Sequence, residues 1–211
     1  MDLISLPVSP FAARVRIAIY AKDLPVNIVP PPAGWPDSRQ FRDLNPTGRV
    51  PVLLDDRGAL WESSVLLEYL EERFPSPASL MPIDVFDRAT ARLLVQHVDL
   101  YLMPPVVTLA DPRTDSAGAR RAVEDLLNGL QMVDGLLEGP RYALCDHLTI
   151  ADCALTPALF AVAVTADRLG LDLLEPGSPL DTYARLSRED PYIDRVIGEM
   201  EEGLRRLTRI D

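Results

Sequence analysis

The sequence predicts a small α/β domain followed by an all-α domain, and three observations lead there. Strand-like and helix-like segments alternate as far as Phe74. A proline-rich stretch, Pro75–Pro82 (PSPASLMP), then interrupts the chain. Every periodic segment beyond it has helical spacing. The first half therefore reads β-α-β-α-β-β-α, and the domains are expected at residues 1–75 and 84–211 with a linker at 76–83.

In chain order, Asp2–Leu6 reads as a short strand. Pro10 stands in the first turn of a helix, where its missing N–H costs nothing. That helix runs to Ala21, with Val15, Ile17, Ala18 and Ala21 on its apolar face. Val26–Val29 is a second strand between Pro25 and the prolines at 30–32. After a loop at 31–37 comes a short helix, Ser38–Leu44, which Asn45-Pro46-Thr47-Gly48 ends. Val50–Leu54 is a buried strand, and Asp55-Asp56-Arg57-Gly58 turns the chain into an antiparallel return at Ala59–Trp61. A helix capped by Ser63 or Ser64 runs to Arg73. The long connection between the first two strands favours a parallel pair, so the sheet is mixed. In the second half, helices are expected at Asp84–Leu102 (ending before Pro104-Pro105), Ser116–Leu137, Thr149–Leu169, Leu180–Leu186 and Tyr192–Leu207. The third is largely apolar and belongs in the core, with Pro157 near its start.

Composition removes several function classes. Hydrophobic residues make up 47% of 211, too many for a disordered chain. A net charge of −11 argues against a partner held through phosphates, so no nucleic acid is expected. No uncharged apolar run approaches the ~18–20 residues of a membrane span, and no membrane partner is expected. The start, MDLISLPVSP, lacks the pattern of a secretory signal, and Cys145 and Cys153 cannot build a disulfide framework; both point to the cytoplasm. The cysteines flank the apolar central helix and read as inert thiols. His97 and His147 lack metal-ligand spacing, so no metal site is expected.

Three short segments can carry chemistry. In SPFAARVR a hydroxyl, Ser9, sits between a strand end and a helix start, where free N–H groups and the dipole favour an anion. Taken alone, Ser9 is more simply a helix cap. In GRVPVL, Pro51 opens an apolar strand. A cis bond before it would turn the Val50 amide and carbonyl outward to pair with an extended peptide, although only ~5–6% of such bonds are cis. In WESS, Glu62 offers a carboxylate for an ammonium group, while Ser63 and the helix N–H groups offer donors for a carboxylate. The plainer alternative is a capped helix preceded by an exposed acid. Tyr101, late in the first long helix, is a candidate contact for a second substrate, with core and solvent-facing roles equally open. Acidic residues such as Glu199, Glu201 and Glu202 read as a solvated helix face.

SPFAARVRIAI together with NPTGRVPVLLDDRGALWESSVLLEYLEERFP resembles the N-terminal half of the glutathione transferase family, and CDHLTIAD resembles that family's signature at its central helix. There Thr149 and Asp152 have capping-box spacing. The resemblance extends over essentially the whole chain and is nearest to tau-like, serine-type members. Omega-like members have cysteine where Ser9 stands, and the Ser-Ser-Cys triplet of zeta-like isomerases is absent. The family implies a thioredoxin-like first domain that binds glutathione as co-substrate, a helical-bundle second domain that shapes a site for a small hydrophobic electrophile, and a homodimer. Carried onto this sequence, Ser9 donates to the glutathione sulfur with Phe11 walling the pocket beside it. Val50, before a cis Pro51, pairs with the cysteinyl unit, Glu62 and Ser63 hold the γ-glutamyl head, and Arg49 faces the glycyl carboxylate. LWESSVLLEYLEERFP followed by LMP is also similar to the stringent starvation protein A family, bacterial RNA polymerase partners with this fold and no transferase activity. The chain departs from that family in having Pro75-Ser76-Pro77 for its Pro-His-Pro, and in its intact SPF motif.

Overall fold

The computed structural model describes residues 1–75 and 78–208. They divide into two compact units, Leu80–Ile193 and Met1–Ser79 together with the chain from Asp194 onward. The last helix thus groups mainly with the first unit, whereas the sequence expectation ran the second domain over 84–211. Of the expected linker 76–83, Ser76 and Pro77 lie outside the described residues.

In the first unit the strands are β1 (Asp2–Ile4), β2 (Asn27–Val29), β3 (Val52–Asp55) and β4 (Gly58–Trp61), in spatial order β2-β1-β3-β4 among the described residues. β1 and β2 are parallel, while β1–β3 and β3–β4 are antiparallel. The helices are α1 (Pro10–Ala21), α2 (Arg39–Leu44) and α3 (Ser63–Arg73), in the β-α-β-α-β-β-α order that the sequence predicts. Side chains alternate across the pleat. Ile4 and Val52 share a core cluster with Phe41 of α2, flanked by Trp35 and Trp61. Leu3 and Leu53, fully buried, point to the opposite face. α1 and α3 pack on each other, and the buried Lys22 at the end of α1 reaches Glu71 of α3 at 2.8 Å.

In the second unit α4 (Val85–His97) passes through a π-helical turn at Val98–Leu102 into α5 (Met103–Ala110). The expected stop before Pro104 does not occur. The prolines occupy the first turn of α5, where the widened π turn has already released the N–H groups they lack. α6 (Ser116–Asp134), α7 (Ile150–Leu169) and α8 (Pro179–Leu186) follow, and α9 (Pro191–Thr208) closes the chain. α7 is the core helix and packs on α4 and α5. Two helical stretches, Val85–Ala110 and Ile150–Leu169, are long and apolar enough to cross a bilayer by length and composition alone. Two thirds of the apolar window in α7 is buried within the protein itself, as expected of a core helix.

Candidate active site

Three segments leave the sheet at one end. Val52 stands opposite Ile4 on one side and Trp61 on the other, so the end of β1, the start of β3 and the end of β4 meet there. Loop 5–9 follows β1, residues 49–51 precede β3 and residues 62–63 follow β4. Sheet topology therefore brings Ser9, Arg49, Val50, Pro51, Glu62 and Ser63 to one edge of the first unit, with Phe11 in the first turn of α1.

Ser9 is the N-cap of α1, and its Oγ accepts from the Ala12 amide at 3.2 Å. That cap uses an oxygen lone pair. A hydroxyl also carries one O–H, and this one has no acceptor among the described residues. The two readings of Ser9 are thus compatible, since the same oxygen can cap the helix and donate outward. Its backbone amide donates to Leu6 O at 3.2 Å, which fixes the loop. Phe11 is half-buried, with the Arg14 guanidinium 5.2 Å from its ring centre.

The Val50–Pro51 peptide is cis. Pro51 is buried, and the Val50 backbone N–H and C=O find no partner among the described residues. Asn45 holds this turn, donating from Nδ2 to Arg49 O at 2.7 Å, and the Arg49 side chain is exposed. Glu62 has φ 67°, an unfavourable conformation for a residue with a Cβ, costing about 1–3 kcal/mol. It turns the chain sharply from β4 into α3 and leaves its side chain exposed. No side chain caps α3, so its first-turn amides remain available beside the buried Ser63.

Tyr101 lies in the second unit. It is exposed on the π turn, its ring 4.8 Å from that of the buried His97. Together with Leu100, Pro104, Arg121 and Met132 it lines a cavity of about 510 Å³ between the π turn, α5 and α6. His97 Nε2 bonds to Gly129 O at 3.0 Å, a packing role. Burial and nearby carboxylates push the Cys145 thiol up, which keeps it protonated and unreactive. Among the described residues, no cluster of three His, Cys, Asp or Glu side chains could hold a metal ion.

The sequence reading missed Arg16 and corrects at Glu199. Far from lying on a solvated face, the Glu199 carboxylate takes Arg16 Nε at 3.0 Å, Tyr20 OH at 2.9 Å and Arg195 Nε at 3.4 Å. Burial pulls the Arg16 guanidinium down while Glu199 opposes it, and burial followed by Glu199 pushes the Tyr20 phenol up. The available signal was a second arginine within an otherwise apolar helix, a residue that needs a partner once that helix is buried.

Comparison with known proteins agrees with this architecture. The family model for the glutathione S-transferase N-terminal domain matches residues 3–78, and that for the C-terminal domain matches residues 116–186. The chain belongs to the glutathione S-transferase family. A stringent starvation protein A homolog from Coxiella burnetii is 31% identical over 100% of this chain and 97% of its own length. A glutathione S-transferase from Pseudomonas putida is 28% identical over 97% of this chain and 94% of its own. A probable maleylacetoacetate isomerase from Caenorhabditis elegans is 30% identical over 82% and 80%. Among solved structures, a tau-class glutathione S-transferase from mango superposes with a TM-score of 0.83 at 22% identity, covering 100% of this chain and 98% of that one, a likeness of fold.

Proposed function

We propose that this chain is a glutathione transferase in which Ser9 holds the glutathione sulfur as a thiolate for attack on a small hydrophobic electrophile. The observation carrying this reading is the bonding of Ser9: its oxygen caps α1 with a lone pair while its O–H has no acceptor among the described residues. The rest of the edge fits a tripeptide. The unpartnered Val50 backbone matches the amide and carbonyl of a cysteinyl unit in an added-strand arrangement. Glu62 suits the γ-glutamyl ammonium, and Ser63 with the uncapped first turn of α3 suits its carboxylate. Arg49 supplies a cation for the glycyl carboxylate and Phe11 an apolar wall.

The energies suffice. A free thiol titrates near ~8.5, and lowering it two units takes about 2.7 kcal/mol. A hydrogen bond to a charged group supplies about 1.5–3 kcal/mol and a helix N-terminus about 0.3–1 kcal/mol. Ser9 is not itself the nucleophile, because among the described residues its hydroxyl bonds to no base that could take its proton. We also infer a homodimer and assign Tyr101 to the electrophile side.

The full-length similarity to a stringent starvation protein A homolog supports a second reading, a non-enzymatic polymerase partner on the same fold. Retention on immobilised glutathione with turnover of an aryl halide establishes the first. Absence of both, with RNA polymerase co-purifying, establishes the second. Assay of a cis-configured unsaturated diketo acid distinguishes isomerisation from conjugation.

A further inference from the structure

Arg16 is an arginine whose side chain is 2% exposed, and three of its five N–H donors are directed at one short segment. Nη1 donates to Ser5 Oγ at 2.8 Å and to Leu6 O at 2.9 Å, and Nη2 donates to Pro7 O at 2.8 Å. Leu6 O is also the acceptor of the Ser9 amide. A single carbonyl oxygen therefore separates the guanidinium from the residue that presents the proposed catalytic hydroxyl.

On its other side Arg16 Nε meets Glu199 of α9 at 3.0 Å. Glu199 is fixed in turn by the Tyr20 hydroxyl and by Arg195, whose guanidinium lies 3.6 Å from the Tyr20 ring centre. α9 also touches the same loop directly: a Cβ at Gly203 would sit 2.9 Å from both Pro7 Cβ and Val8 Cγ1. Arg16 of α1, backed by Glu199, and the α9 backbone at Gly203 thus converge on residues 5–8.

We propose that Arg16 and Glu199 are positioning residues for Ser9, clamping the β1–α1 loop so that its hydroxyl is held where the thiolate forms. The inference rests on the Ser9 reading given above. Desolvating a guanidinium is costly, and apolar filling would avoid that cost. What the planar fork adds is geometric definition of three acceptors in consecutive residues. A hydrogen bond to an ionised sulfur is sensitive to that definition, since misplacement of about 1 Å can cost ~100-fold in rate. Lysine at this position keeps the charge and loses the fork.

The test is a double-mutant cycle on the intact protein, reading the pKa of bound glutathione by ultraviolet thiolate absorbance, with kcat and KM measured alongside. Arg16→Lys is expected to raise the thiol pKa by about 0.5–1 unit and to lower kcat ~3–10-fold, with KM for glutathione changed less than ~2-fold. In the Ser9→Ala background the same substitution is expected to leave the thiol pKa where Ser9→Ala alone puts it. An unmoved pKa in the Ser9 background, or an equal shift in both backgrounds, overturns the proposal. Should Arg16→Lys fail to fold, Glu199→Gln carries the same cycle with the same outcomes, because it removes the charge facing Nε while sparing the loop contacts. If Ser9→Ala alone does not move the thiol pKa, it is the Ser9 reading that falls, a result distinct from failure of the clamp.

Discussion

Ser9 illustrates how one side chain can answer to structure and to chemistry together. Its cap on Ala12 is worth about 0.5–2 kcal/mol of stability, and its O–H is assigned to the glutathione sulfur. Ser9→Ala is expected to raise the bound thiol pKa by about 1–2 units and to lower conjugation ~10–100-fold, on the strength of a charge-assisted hydrogen bond. The same variant should remain folded. A rate and thiol pKa equal to wild type would remove Ser9 from the mechanism. Tyr101→Ala, at an exposed residue lining the cavity of the second unit, is expected to raise KM for the electrophile several-fold with KM for glutathione unchanged; the opposite pattern would detach Tyr101 from the electrophile side. The placement of the Ser9, Val50–Pro51 and Glu62–Ser63 segments was legible because each occupies two or three consecutive residues at a strand–helix or loop–strand junction. Arg16 and Glu199 were not, since 183 positions separate them and only tertiary packing converts a surface-type charge into a buried partner.

At the scale of elements, strand order and helix positions follow from period, proline and turn residues, and the boundaries shift by one to three residues. The larger miss is the chain through Pro104-Pro105. Local rules end a helix before paired prolines; a π turn at Val98–Leu102 instead lets α5 restart on them, and period alone does not reveal such a turn. Gly129 of α6 depends on that turn. A Cβ there would come within 2.7 Å of Tyr101 O, so Gly129→Ala is expected to cost about 1–3 kcal/mol in urea unfolding and to disturb the Tyr101 cavity. The capping box at α7 was visible as Thr149 and Asp152, but its reach was not. The buried Asp152 carboxylate accepts from the Ala143 amide (2.6 Å), the Tyr183 hydroxyl (2.9 Å) and the Thr149 amide and hydroxyl (2.8 and 2.9 Å). Four donors converge, two on each oxygen, and an amide NH₂ in place of either oxygen would face two of them. Asp152→Asn is therefore expected to destabilise the protein by about 2–4 kcal/mol, read as a lower urea midpoint at unchanged slope. A midpoint within error of wild type would show that the donors find other acceptors.

For the whole molecule, the surface of the second unit bears on assembly. Ile83, Val85, Phe86 and Leu93 are exposed at the start and along one side of α4, with Ile83 at 98% and Phe86 at 76%. Scattered apolar residues on a surface need no explanation, but a cluster of this kind beside one helix start is the surface on which we place the inferred dimer contact. The net charge of −11 opposes self-association at long range, so a stable pair needs an apolar centre that holds at short range. Covering a phenylalanine side chain stabilises by about 1.5–3 kcal/mol, whereas enclosing an unpaired glutamate costs several kcal/mol. Light scattering on the purified protein is therefore expected to give twice the chain mass, and Phe86→Glu to give the monomer mass with unaltered helical circular dichroism. Because Phe86 is largely exposed within its own chain, this substitution has little to lose in folding. A dimer that survives it places the interface on another face, and a monomeric wild type at micromolar concentration leaves the α4 surface without the partner proposed for it.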